Sequence, residues 1–211
     1  MATTTNYGWT TPDDTDLVKN GADAIRDLGS AIDTSMNTAL GTKKAGLVLL
    51  NTTSFTAVAT QSINGVFSSD YSNYRILISP TTAGTNQQLT MRLRASGTDT
   101  STNYVSNANF NSTATTVSAS LNIRGTDEIL VNGGITTGRP AFANIDIFNP
   151  FANLNTGFLI NSGNEVSDGS FFYTVNTTGI LKDTLSYDGF TLIISGGSNI
   201  SGSLSVFGYN K

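Results

Sequence analysis

The chain has 211 residues, enough to bury a sizeable core, and one main β domain with an appendage is the organisation expected at this length. Its 15 acidic and 11 basic residues leave a mildly negative protein without a Lys/Arg cluster, which disfavours nucleic acid as a partner. The absence of Cys and His excludes disulfides and thiolate metal sites and removes the commonest general base near neutral pH.

The first twelve residues contain the only Trp of the chain, Trp9, two positions after Tyr7. Large aromatic side chains near a terminus are costly to leave in water. Residues 1–12 are therefore predicted to form a docking peptide with Tyr7 and Trp9 as its anchors. The alternative is that these rings clasp the helix of their own chain. The segment lacks the basic and apolar parts of a signal peptide, so a soluble protein without membrane insertion is expected.

Residues 13–41 are predicted to form a stalk helix. Thr11 is a suitable cap, Pro12 suits the first helical position, and aspartates follow at the positive end of the helix dipole. Gly41 supplies the stop signal.

A narrow apolar seam runs along this predicted helix. Val18, Ile25 and Ile32 recur every seven residues, and Leu28 follows Ile25 by three. The pattern predicts that copies of the helix pack on one another, with three chains favoured over two by Ile at successive equivalent positions. The alternative is an amphipathic helix that lies on its own β domain.

From residue 45 onward the apolar period changes to two. In residues 89–95, Leu89, Met91 and Leu93 alternate with polar residues, as in a half-buried strand. Further short apolar runs lie at 47–50, 74–79, 128–131, 144–148, 157–161 and 170–175. Turn motifs that separate such runs are Ser79-Pro80, Asn132-Gly133-Gly134, Asn149-Pro150, Ser167-Asp168-Gly169 and Ser195-Gly196-Gly197. The fold is therefore predicted to be mainly β, with residues 45–211 forming a jelly-roll-like β-sandwich.

No catalytic, cofactor-binding or metal-binding residue is assigned. Asp127 and Glu128 are adjacent, and adjacent strand residues face opposite sides of a sheet, so this pair is predicted to lie in a turn or at an edge. Without His or a convincing carboxylate pair, the chain is predicted not to be an enzyme.

Aromatic residues in loop-like settings are instead candidates for glycan binding. Rings stack on sugars, while nearby carboxylates and amides bond to sugar hydroxyls. The candidate glycan-binding residues are Tyr104, Phe110, Tyr187 and Asp188. The alternative for each is packing in the core or between subunits.

The opening MATTTNYGWTTPDDTDLVKNGADAIRDLGSAIDTSM closely resembles the N-terminal segment of many tail-fibre and other virion structural proteins of tailed bacteriophages. These phages notably infect marine and freshwater hosts, including cyanobacteria. VFSSDYSNYRILIS (66–79) and LTMRLRASGTD (89–99) are similar to the β domain that often follows this segment. The resemblance implies a homotrimer, assembled in the bacterial cytoplasm, whose N-terminus binds tail, baseplate or other virion proteins and whose β domain adheres to a host surface polysaccharide.

Three functions stay open on the sequence. The first is a trimeric tail fibre with an adhesive β domain. The second is a capsid decoration or head-fibre protein without receptor binding. The third is a small hydrolase of surface glycans, which the lack of His disfavours.

Overall fold

The computed structural model describes residues 2–13, 17–41, 46–112, 118–165 and 172–210. The chain divides into two compact units, Met1–Gly46 and Leu47–Lys211. The first contains a helix and the second contains two β-sheets, which confirms the predicted mainly β fold with a helix and a β-sandwich. Within the described residues, no helical stretch combines the length and the apolar character that a membrane crossing requires.

The first unit consists of a two-stranded ribbon and a helix. Strand β1 (Ala2–Thr3) pairs antiparallel with strand β2 (Thr10–Thr11). The ribbon closes through hydrogen bonds from Thr4 N to Trp9 O (2.9 Å) and from Gly8 N to Thr4 O (3.0 Å). The helix, α1, spans Val18–Gly41.

The described helix begins at Val18 rather than at the predicted Asp13, and its described part runs to Gly41. Thr11 pairs in the ribbon instead of capping the helix. The aspartates expected in the first turn include Asp14 and Asp16, which lie outside the described residues.

The second unit is built from antiparallel strands. In chain order they are β3 (Leu47–Val58), β4 (Thr60–Ile63), β5 (Asn73–Thr82), β6 (Gln87–Ala95), β7 (Thr98–Asp99), β8 (Tyr104–Ser112), β9 (Ser118–Thr126), β10 (Ile129–Ile135), β11 (Ala141–Phe148), β12 (Thr156–Glu165), β13 (Phe172–Leu181), β14 (Gly189–Ile194) and β15 (Ile200–Tyr209). The larger sheet has the order β3-β15-β5-β11-β12-β13-β8-β9. The smaller sheet has the order β10-β6-β14-β4, with β7 paired to β6.

The main core lies between the two sheets. On β5, Tyr74, Ile76 and Ile78 point inward and are buried, as period-two alternation predicts. On the smaller sheet, the predicted inward residues of β6 meet them in one apolar cluster that extends over both sheets. The opposite surface of the larger sheet, called the outer face below, carries the residues that alternate with this core.

Two of the predicted turns are wrong, because Ser79-Pro80 lies within β5 and Asn132-Gly133-Gly134 lies within β10. Beyond Ile78, β5 no longer pairs with β11 and is paired only with β15, with Pro80 opposite Gly202, so the proline lies where one side of the strand is free of a neighbour. In β10, the pairing with β6 shifts register on both sides of Asn132, so β-bulges absorb the glycines. The turns at Asn149-Pro150 and Ser195-Gly196-Gly197 are confirmed, and Ser167-Asp168-Gly169 lies outside the described residues.

Candidate functional site

Two of the predicted glycan-binding residues, Tyr104 and Tyr187, are buried in the main core with no exposed surface. The Tyr104 hydroxyl accepts a hydrogen bond of 2.7 Å from Leu93 N, and the Tyr187 hydroxyl accepts one of 3.3 Å from Thr100 Oγ1. Burial raises the pKa of both hydroxyls. The prediction that these rings stack on a sugar is wrong, because β8 begins with Tyr104 facing inward and Tyr187 packs into the same interior.

The other two predicted residues, Phe110 and Asp188, also do not lie together on an exposed surface. Phe110 is half-buried and packs on the small cluster of Ala108, Leu130 and Val175 between the sheets. Asp188 is half-buried, and its Oδ2 accepts a hydrogen bond of 3.3 Å from Ser96 N. The structure therefore does not bring the four predicted residues together in one exposed site.

The aromatic pair of the N-terminal segment is present in the first unit. The Tyr7 and Trp9 rings stack with centroids 5.0 Å apart. Trp9 Nε1 donates a 2.9 Å hydrogen bond to Ser35 Oγ of α1, as expected if the ring clasps its own helix. Tyr7 is 70% exposed. A docking role for the pair stays a prediction.

The predicted seam of α1 is divided between two environments. Leu28 and Ile32 are half-buried, whereas Ile25 is 64% exposed and Met36, on the same side of the helix, is 53% exposed. The Val18 side chain lies outside the described part of the structure. Packing of the seam on other copies of the chain stays a prediction.

A depression of about 260 Å³ lies on the outer face, across β15, β5 and β11. The residues that line it and alternate with the core are Leu77, Ser79, Phe142, Asn144, Ser203 and Ser205. The lining thus combines apolar side chains with an amide and three hydroxyls, all without charge at neutral pH. Such a surface offers neutral donors and acceptors next to apolar contact area.

Phe142 and Phe172 form an aromatic platform beside the depression. Their centroids lie 6.0 Å apart with an interplanar angle of 25°. Gly163, opposite Phe142 on the neighbouring strand, makes this arrangement possible. A Cβ at this position would lie 2.7 Å from Phe142 Cζ and 2.6 Å from Phe172 Cζ, so any larger residue displaces the rings. Phe142 is 50% exposed and presents part of its ring to solvent.

A row of four asparagines crosses the outer face from the depression. Strand pairing places Asn144 opposite Asn161, Asn161 opposite Asn176, and Asn176 opposite Asn109. The row therefore extends over β11, β12, β13 and β8, and we call it the amide ladder. Asn161, Asn176 and Asn109 are exposed, and Asn144 is half-buried at the rim of the depression.

The amides of the ladder are not used to hold the fold together. Within the described residues, none of the four side chains makes an internal hydrogen bond. Asn144 Oδ1 is moreover buried without a partner there. A buried acceptor without a partner costs about 1–3 kcal/mol.

The charges next to the ladder are paired with each other. Arg75 Nε and Nη2 donate hydrogen bonds of 2.8 Å each to the two carboxylate oxygens of Asp146, and the Tyr209 hydroxyl donates one of 2.7 Å to Oδ1. Burial opposes ionisation of Asp146, but the bonds from Arg75 and Tyr209 outweigh it and lower the pKa of the carboxyl. Burial of the Tyr209 hydroxyl, together with its bond to Asp146, raises the pKa of Tyr209. This pair stabilises the sheet and leaves little free charge for a ligand.

Sequence reasoning missed the outer face as a site. The one available signal was that Asn109, Asn144 and Asn161 occupy outward positions of alternating strands, although asparagine is depleted from strands. Their alignment depends on strand register, which pairs segments far apart in the chain.

Comparison with family models and with curated proteins gives no match. Two solved structures are similar. The galectin LEC-6 of Caenorhabditis elegans shares 9% identity with a TM-score of 0.32, over 78% of this chain and 97% of that chain. The CBM2 module of the evolved Dit of Lactobacillus casei BL23 phage J-1 shares 14% identity with a TM-score of 0.24, over 72% of this chain and 69% of that chain. Neither likeness assigns the chain to a family.

Proposed function

We propose that this chain is a trimeric tail-fibre protein of a tailed bacteriophage that binds a neutral polysaccharide of the host surface through the outer face of its β-sandwich. The observation that carries the adhesive part is the juxtaposition of the depression, the aromatic platform and the amide ladder on this face. The virion location rests on the resemblance of residues 1–36 to the N-terminal segment of virion proteins.

The chemistry of the outer face suits a sugar chain. A pyranose ring presents an apolar face for stacking and hydroxyls that both donate and accept hydrogen bonds. The platform at Phe142 provides the apolar surface, while Asn144 and the serines of the depression provide neutral partners. Arg75 and Asp146 satisfy each other, so the face does not select a charged ligand.

The first unit supports the assignment of attachment and self-association to residues 1–41. Ile25 and Met36 leave apolar surface exposed on one side of α1, and contact with other copies of the helix removes such surface from water. Tyr7 presents an exposed ring for a virion partner. Three linked copies bind one polysaccharide more tightly than a single copy does, although no chain makes a new contact.

Engagement of three carboxylates of the sandwich in ion pairs supports a binding role rather than catalysis. Asp99 pairs with Arg94 at 2.8 Å, Asp127 pairs with Arg92 at 2.5 Å, and Glu165 pairs with Arg139 at 2.8 Å. The predicted turn position of Asp127 is confirmed between β9 and β10. A glycosidase instead needs two carboxyl groups facing one sugar, one of them ready to donate a proton.

Binding to polysaccharide purified from the host envelope tests the adhesive part. Phe142→Ala removes the exposed ring, and we expect about tenfold weaker binding of the full chain, equivalent to about 1.4 kcal/mol. Phe151→Ala is the matched control, because Phe151 is 37% exposed in the turn after β11. Equal affinities of the two variants and the parent chain would contradict binding through the platform of the outer face. No envelope binding by the parent would contradict the adhesive role.

A second candidate function is a capsid decoration or head-fibre protein that binds no receptor. The observation that favours it is that Leu49, Leu77 and Leu159 are exposed on the outer face, since exposed apolar surface is also found at protein interfaces. In that case the outer face is covered by another virion protein. Isolated chain then binds no envelope polysaccharide.

A further inference from the structure

We propose that the amide ladder is a track for one extended, linear, neutral polysaccharide, which crosses β11, β12, β13 and β8 at right angles to the strands. This inference rests on the proposed function and specifies its ligand. The depression and the platform then hold one part of the glycan, and each asparagine contacts a successive sugar ring.

The spacing of the ladder is the first argument. Opposed residues on neighbouring antiparallel strands lie about 4.5–5.5 Å apart at Cα, so four amides in register span about 15 Å. An extended β-1,4-linked glycan repeats its rings at a comparable spacing. Asn161 and Asn176 can therefore meet neighbouring rings of one chain, whereas a compact or branched sugar reaches only part of the row.

The residue type is the second argument. Asparagine is unfavourable in strand interiors. The ladder nevertheless places one at an aligned outward position in each of four adjacent strands, against the residue preference of a strand. An internal amide network would compensate for this, but within the described residues the four side chains make no hydrogen bond with the protein. Their donors and acceptors are available to a ligand with many hydroxyls.

The rows on either side of the ladder are the third argument. Phe142 and Gly163 lie on one side, and Leu159 and Thr178 lie on the other, in register with the same strands. None of these side chains carries a charge. The nearest ion pair, Arg75 with Asp146, is internally satisfied at the end of the second row. The track is therefore suited to a neutral chain and offers no counterion for a polyuronate.

Calorimetric titration of the full chain with defined oligosaccharides tests this inference. The probes are cellobiose, cellohexaose, the helical maltohexaose and the charged hexagalacturonate. We expect cellohexaose to bind about tenfold more tightly than cellobiose and than either other hexamer. In the double variant Asn161→Ala/Asn176→Ala this length preference is lost, while the melting temperature stays unchanged. The matched control Asn153→Ala/Asn155→Ala changes two exposed asparagines in the turn after β11 and retains the preference.

Three results would overturn the track. They are equal affinity for cellobiose and cellohexaose, no binding of cellohexaose, and a length preference that survives in the ladder variant. Failure of the proposed function is distinguishable, because the parent chain then also fails to bind host envelope polysaccharide. If envelope binding persists with equal strength in the ladder variant, the adhesive function stands and the track is excluded.

Discussion

The charged network of the outer face consists of Arg75, Asp146 and Tyr209, which are joined by hydrogen bonds. The guanidinium bonds to both carboxylate oxygens and lies 5.5 Å from the centroid of the Tyr209 ring. Asp146 is mostly buried, whereas about a third of the Arg75 side chain reaches solvent. The energetic contribution of the pair is therefore intermediate between those of exposed and buried ion pairs.

The lowered pKa of Asp146 predicts how stability depends on pH. A carboxyl whose pKa is lower in the folded state than its reference value of 3.8 stabilises the fold above that value, and this contribution is lost as pH falls through the lowered pKa. Asp146→Asn should reduce the free energy of unfolding at neutral pH by about 2 kcal/mol. It should also flatten the loss of stability below about pH 4. Chemical denaturation across this pH range measures both effects.

The control for that experiment is Asp70→Asn, at an exposed carboxylate whose Oδ2 accepts one hydrogen bond of 3.2 Å from Ser68 Oγ. We expect a loss of stability well below that of Asp146→Asn. An acid dependence of Asp146→Asn that matches the parent chain would contradict the assigned role of the pair.

Gly163 is a second residue with a specific role, because both rings of the platform close over it. Gly163→Val should displace Phe142 and Phe172 and weaken envelope binding by about tenfold, as loss of the ring does. The sandwich should still fold, because the clash is with the ring ends of the exposed Phe142 and the half-buried Phe172 and valine suits a strand. Gly157→Val on the same strand is the matched control, and equal loss of binding in both variants would argue against the platform.

Among the individual elements, the strands are well predicted by sequence and the site is not. Alternation located β6, and short apolar runs located β5, β11 and β12, since one face of each strand packs on the core. The ladder joins Asn109 on β8 to Asn176 on β13, and only tertiary pairing brings those segments together. Tyr104 was wrongly predicted to be exposed for a related reason. Whether its side chain faces the core depends on the residue at which β8 begins.

The helix α1 carries the prediction about self-association. Its exposed apolar stripe includes Ile25 and Met36, and Ile25→Asp places a charge where copies of the helix are proposed to meet. We expect sedimentation velocity to show a trimer for the full parent chain and a shift to monomer for the variant. Asn37→Asp adds the same charge at an exposed position off this stripe and should remain trimeric. A parent chain that sediments as a monomer would contradict the proposed seam.

For the whole molecule, the low charge and the two separate units fit the proposal that the first unit attaches and self-associates while the second binds a neutral glycan. The main core is contained in the second unit, from Phe55 to Val206. The sandwich therefore has the packing needed to hold the outer face rigid, and rigid presentation favours weak neutral contacts by reducing the entropy lost on binding. The first unit has exposed aromatic and apolar side chains of its own, Tyr7, Ile25 and Met36, which the proposal assigns to attachment and self-association.

Electron cryo-microscopy of intact virions is the most direct test of the central claim, that this chain is a trimeric virion fibre with an adhesive outer face. The account predicts three copies at each attachment point, residues 1–41 in contact with the particle, and the outer face open to solvent. A single copy at each point, with the amide ladder covered by another virion protein, would contradict it.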